Sequence, residues 1–136
     1  IVPVELALVQ AANESAWGTS FFARRGNNYF GQWCFQKGCG IIPRRRRANA
    51  KHEVKYFNNA VESVHAYMKN INTLDSYAAL RKIRRQLRLR HIPIYAEVLT
   101  RGLKNYSERG VEYLKILRHM IRSNRKLMLQ TPPITR

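Results

Sequence analysis

Carboxylates are scarce in this 136-residue chain: eight Asp and Glu stand against twenty-five Lys and Arg, for a formal net charge of +17. That imbalance excludes a surface neutralised by its own acids. It favours polyanionic partners: nucleic acid, anionic lipid head groups or acidic cell-wall polymers. Long apolar runs are missing too. No stretch approaches the ~18 residues that a spanning helix needs, so no transmembrane segment is expected. Cysteine is limited to Cys34 and Cys39, in WCFQKGCG, with no second pair and no neighbouring His cluster. A tetrahedral zinc site is thereby excluded, and the spacing leaves either a local disulfide or two reduced thiols. No metal or other cofactor is called for. The basic residues come without helix-turn-helix, RRM, KH or zinc-finger patterns, so specific nucleic-acid binding is not expected. The chain opens Ile1-Val2-Pro3, with neither an initiator Met nor a signal-peptide pattern, and reads as an excised or processed piece of something longer.

What is present is mostly helical. The length fits one domain, 1–136, and a monomer with one core. Pro3 suits a first helical turn, and Val4, Leu6, Ala7, Leu8, Ala11 and Ala12 give the helix a broad apolar stripe to about Ser15. Trp17-Gly18-Thr19-Ser20 breaks it, and Thr19 or Ser20 can cap a short helix, FFARR, which Gly26 ends. From about 27 to 57 Gly, Asn and aromatics replace the helical period, and RRRR at 44–47 interrupts it further. This is an irregular or small β lobe, with Glu53 to Phe57 as its best strand and a cleft wall as its expected role.

Four helical blocks follow. Asn59 to Glu62 has capping-box spacing and opens a helix with Val61, Val64, Tyr67, Met68 and Ile71 inward. Ser76 to about Leu89 places Tyr77, Leu80, Ile83 and Leu87 on one face and cations on the other. Pro93 starts a third block that Gly102 stops. The last runs from about Ser107 to Ser123, with Val111, Leu114, Leu117, Met120 and Ile121 inward, and the tail from about 125 to 136 is irregular.

The scarcity of acids gives weight to Glu14, in ESAWGTS, at the inner end of the first apolar helix. A Glu kept there for proton chemistry needs a carboxyl still protonated near neutral pH. A carboxyl at a helix end, set against Trp17 and other apolar groups, is held toward that form. The alternative is a Glu accepting backbone N–H bonds from the turn, which favours the ionised form. Aromatics and amides suited to a ligand groove crowd the next residues: Trp17, Asn28, Tyr29, Phe30, Gln32 and Trp33. Asn28 and Gln32 read as binding groups, whereas Phe30 and Trp17 read at least as well as core. Ser15 can cap the turn or orient Glu14. It lacks the surroundings of a nucleophile.

ALVQAANESAWGTSFFARRGNNYFGQW resembles the opening of the mannosyl-glycoprotein endo-β-N-acetylglucosaminidase type domain, the peptidoglycan N-acetylglucosaminidases of glycoside hydrolase family 73. GNNYFGQWCFQKGCGIIPRR, SVHAYMKNINTLDSYAALRKIRRQLR and NYSERGVEYLKILRHMIRSN resemble the Bax-type members of Gram-negative bacteria, so the similarity runs from about Val4 to Asn124. The resemblance implies a lysozyme-like α+β fold, mostly α, with a helical lobe, a small β lobe and a glycan groove between them. It implies hydrolysis of the β-1,4 bond after N-acetylglucosamine, with Glu14 as general acid. Glu53 is the second acid it suggests from the lobe, and Tyr106, in Tyr106-Ser107-Glu108-Arg109, matches the family's site tyrosine. Packing before a helix cap is the alternative for Tyr106. Inversion and assistance by the substrate's own acetamido group both stay open. A non-catalytic glycan-binding module and a lytic transglycosylase are the competing readings, with a basic nucleic-acid-binding helical domain a less favoured third. The resemblance also implies peptidoglycan strands as partner, anionic envelope surfaces as electrostatic contacts, and the periplasm or cell envelope as location, where Cys34 and Cys39 meet oxidising conditions.

Overall fold

The computed structural model describes residues 1–129, which form two compact units. Gln10–Lys69 make one; Ile1–Val9 with the residues from Asn70 onward make the other. The class is α+β, mostly α, with a small three-stranded antiparallel sheet.

In the Gln10–Lys69 unit, helix α1 (Val4–Glu14) delivers its last turn. The buried stripe of α1 centres on Leu6, Val9 and Gln10, not on the expected Val4 and Leu8, which are exposed. Helix α2 (Phe21–Gly26) begins where Ser20 Oγ accepts from Ala23 N at 3.1 Å. It ends one residue later than expected, because Asn27, not Gly26, adopts the left-handed conformation (φ 50°). The lobe that follows holds β1 (Trp33–Cys34), β2 (Gly40–Ile41) and β3 (Glu53–Lys55), ordered β1-β3-β2. Trp33 pairs with Val54, Cys34 with Glu53, and Ile41 with Val54, so both outer strands run antiparallel to β3. Cys34 and Cys39 are joined as a disulfide.

Helix α3 (Ala60–Thr73) opens on the anticipated capping box: Asn59 Oδ1 accepts from Glu62 N, and Glu62 reaches back to Asn58 N, each at 3.0 Å. Tyr67 and Ile71 are buried, but Val61 is exposed. It lies in the first turn, where the cap and not packing fixes the chain.

In the other unit, a 3-10 turn at Asp75–Tyr77 leads into α4 (Ala78–Leu89), which buries Leu80 and Arg84. Arg84 donates from Nη1 to Ile1 O and Asn72 Oδ1, both at 2.9 Å, which satisfies a guanidinium that burial would otherwise penalise. The expected helix start at Pro93 is corrected. Helix α5 is only Ala96–Leu99, since His91 turns into the left-handed region (φ 55°) and Tyr95 is still extended. Gly102 does not stop a helix either. It lies in a 3-10 turn, Thr100–Leu103, whose backbone is packed so tightly on α4 that a Cβ there would fall 2.3 Å from Leu80 Cα. Helix α6 (Val111–Met128) buries Tyr113, Leu114, Leu117 and Ile121. Val111, at its first residue, is exposed. The helix continues through Arg125–Met128, where an irregular tail was expected; the remainder of that tail, 130–136, lies outside the described residues.

Candidate active site

The chain reaches Glu14 as the last residue of α1 and then reverses. Ala16, Trp17 and Gly18 take positive φ in succession (49°, 58° and 78°), a left-handed turn that L residues resist by ~1–2 kcal/mol each. Ser15 holds it. Its buried hydroxyl donates to Ala11 O (2.6 Å) and accepts from Gly18 N (2.8 Å), while Ser20 N returns to Ser15 O (3.0 Å). Ser15 therefore fastens the turn that fixes where Glu14 sits.

A second loop meets this carboxylate. Glu14 is half-buried, and its Oε2 lies 3.7 Å from where a Cβ of Gly31 would stand. Gly31 itself has φ +65°, the region that glycine enters without strain. The loop is built on Asn28, which is 2% exposed. Its Oδ1 accepts from Phe30 N (3.3 Å) and Gln32 N (3.1 Å), and its Nδ2 donates to Gln32 O and Lys55 O, both at 2.9 Å. All of this is backbone, so Asn28, expected as a binding amide, spends its side chain closing the loop and tying it to β3. Phe30 is 4% exposed and lies flat on Tyr67 (4.1 Å between ring centres, 12°). Tyr67 OH donates to Gln10 Oε1 at 2.5 Å, and Gln10 precedes Glu14 by one helical turn on the same face. Loop and helix are thus linked through Tyr67 of α3, by a ring stack on one side and a buried hydrogen bond on the other.

The other candidates occupy different settings. Trp17 is 67% exposed, which removes it from the core. Tyr29 is half-buried, its Cε1 3.7 Å from a Cβ built on Gly18. Trp33 is exposed and stacks on His52 at 3.8 Å, with 13° between the rings. Gln32 donates from Nε2 to Ser63 O at 3.4 Å, and its buried Oε1 has no partner among the described residues. That makes it an acceptor for a ligand N–H or a water. Glu53 is 4% exposed, and both its oxygens accept from Gly38 N at 3.0 Å, next to the disulfide. Tyr106 belongs to the other unit, half-buried, its ring 5.8 Å from Tyr113 (4°) and from Tyr77 (41°). Sequence reasoning assigns no site role to Gln10, Gly31 or Tyr67. A Gln one turn before Glu14 on an apolar helix was the available signal. Among the described residues no group of His, Cys, Asp and Glu suits a metal ion.

An acid at a helix end, beside a strained turn and a glycine-bearing loop, is placed where a carboxyl can exchange a proton with a neighbouring group. Comparison with known proteins gives it a class. Residues 1–126 match the family Glucosaminidase, described as mannosyl-glycoprotein endo-beta-N-acetylglucosaminidase, so the chain belongs to that family, whose description is that of a glycosidase. It is also similar to "Protein bax" of Escherichia coli (strain K12), 36% identical over 128 residues. The match takes in 94% of this chain and 45% of that protein, so the chain spans about half the length of its curated relative. No solved structure matches it.

Proposed function

We propose that this domain hydrolyses the β-1,4 bond after N-acetylglucosamine in peptidoglycan, with Glu14 giving its proton to the departing sugar oxygen. The seating of Glu14 carries the reading: it closes α1, its carboxylate rests beside Gly31, and two buried networks, through Ser15 and through Gln10-Tyr67-Phe30, fix both sides. A general acid acts only from a defined position, and these bonds supply one. Exposed Trp17 and Trp33 offer flat faces for sugar rings, and Gln32 Oε1 offers an acceptor for an acetamido N–H.

Glu53 serves this chemistry poorly where it stands, buried and shared with Gly38 N. We therefore favour assistance by the substrate's acetamido group, whose oxygen attacks the anomeric carbon as Glu14 protonates the leaving oxygen. Water then opens the oxazoline-type intermediate, and the anomeric configuration is retained. Tyr106 is assigned by resemblance the stabilisation of that acetamido group. On the Bax-type resemblance and with peptidoglycan as substrate, we propose the periplasm or cell envelope of a Gram-negative bacterium as the working location.

Mass analysis of fragments from purified peptidoglycan tests the bond and the reaction type. Reducing N-acetylglucosamine ends are the expected products. Anhydro-muramyl ends would make the protein a lytic transglycosylase, and unchanged sacculi with binding intact would make it a glycan-binding module.

A further inference from the structure

Between Asn27 and Phe57 the chain has one carboxylate, Glu53, and it is buried. The cations there are therefore unneutralised within the lobe. Arg46 is tied inward, donating from Nη1 to His52 O at 3.0 Å, while Arg44, Arg45 and Arg47 are exposed. Because β1 and β2 both run antiparallel to β3, the residues leaving the outer strands and those entering β3 emerge at one end of the sheet. Phe35 follows β1 and is 71% exposed; Ile42 follows β2 and is 58% exposed; the arginine loop comes next. Phe35 lies within the loop that the Cys34–Cys39 disulfide closes, so little ordering is left to be lost when it is covered. Exposed apolar side chains at the sheet end that the exposed arginine run also leaves suit a surface that is anionic outside and apolar beneath.

We propose that this end of the sheet docks on a bilayer containing anionic phospholipid. Arg44, Arg45 and Arg47 pair with head-group phosphates, and Phe35 and Ile42 enter the boundary with the acyl chains. A soluble carboxylate polymer would engage the arginines but leave the two apolar side chains in water, and that difference makes the partner testable. The inference is independent of the assignment of Glu14.

The experiment is co-sedimentation of the protein at physiological ionic strength with two kinds of vesicle: phosphatidylcholine alone, and phosphatidylcholine mixed with phosphatidylglycerol. Binding to the mixed vesicles only is expected. R44Q/R45Q/R47Q should lower the partition coefficient on the order of a hundredfold, and F35S/I42S at least about tenfold. All five side chains are exposed or solvent-facing and Arg46 is left in place, so unchanged circular dichroism will show that both variants fold. Equal or absent binding to the two vesicle types would overturn the proposal, as would an unchanged triple variant. Wild-type binding by F35S/I42S would also overturn it, reassigning the surface to acidic polymers.

Discussion

Ser15 uses its hydroxyl in both directions, and that makes it the most exposed point of failure near Glu14. Ser15→Ala leaves Gly18 N without its acceptor inside a strained turn, so stability should fall by about 1–3 kcal/mol in denaturant titration. Activity should fall further than stability explains, because Glu14 then loses its defined position. Glu53 gives the opposite expectation. Glu53→Gln keeps an oxygen for Gly38 N, and hydrolysis assisted by the acetamido group should continue within about tenfold of wild type, releasing the β-anomer first by NMR. A loss as deep as that of an acid variant, or release of the α-anomer, would restore Glu53 as the second carboxylate. At this scale the sequence revealed residue types but not their tasks. Asn28 looked like a ligand amide because its partner Lys55 O lies twenty-seven residues away; only the folded lobe shows that its hydrogens are already used.

Among elements, the helices α1, α3, α4 and α6 were legible, because each carries apolar residues at helical spacing over about three turns or more, although the face that α1 buries was not. The region from His91 to Leu103 was not. A left-handed His91 and an extended Tyr95 reduce α5 to one turn, and neither leaves a mark in the spacing of apolar residues. Gly102 was misread for a related reason: its value lies in letting two backbones touch, which no local pattern encodes. Gly102→Ala must push a Cβ into Leu80 of α4 and is expected to cost more than about 3 kcal/mol or to prevent folding, read by the unfolding midpoint or by loss of soluble protein. The disulfide is a milder support. Its loop is short, so replacing Cys34 and Cys39 by Ala should cost about 2 kcal/mol, measured by the same titration.

Across the whole molecule, charge outweighs every other compositional feature. Peptidoglycan carries stem-peptide carboxylates, so a chain at +17 should hold it largely by screened attraction. Raising salt from about 0.05 to about 0.5 M should weaken binding to sacculi by at least about tenfold in pull-down assays, with the aromatic contribution persisting. Salt-insensitive binding would contradict a role for the basic surface. The family came from the ordered motif around Glu14, and the match over 1–126 agrees with it; the partition into two compact units was not readable from the chain. Glu14 remains the central claim, and one comparison addresses it most directly. Glu14→Gln, isosteric and folded by circular dichroism, is incubated beside wild type with purified peptidoglycan, and released fragments and bound protein are both measured. The account predicts that release falls by about 10²–10⁴-fold while binding is kept; a Glu14→Gln variant that still cleaves near the wild-type rate would contradict it.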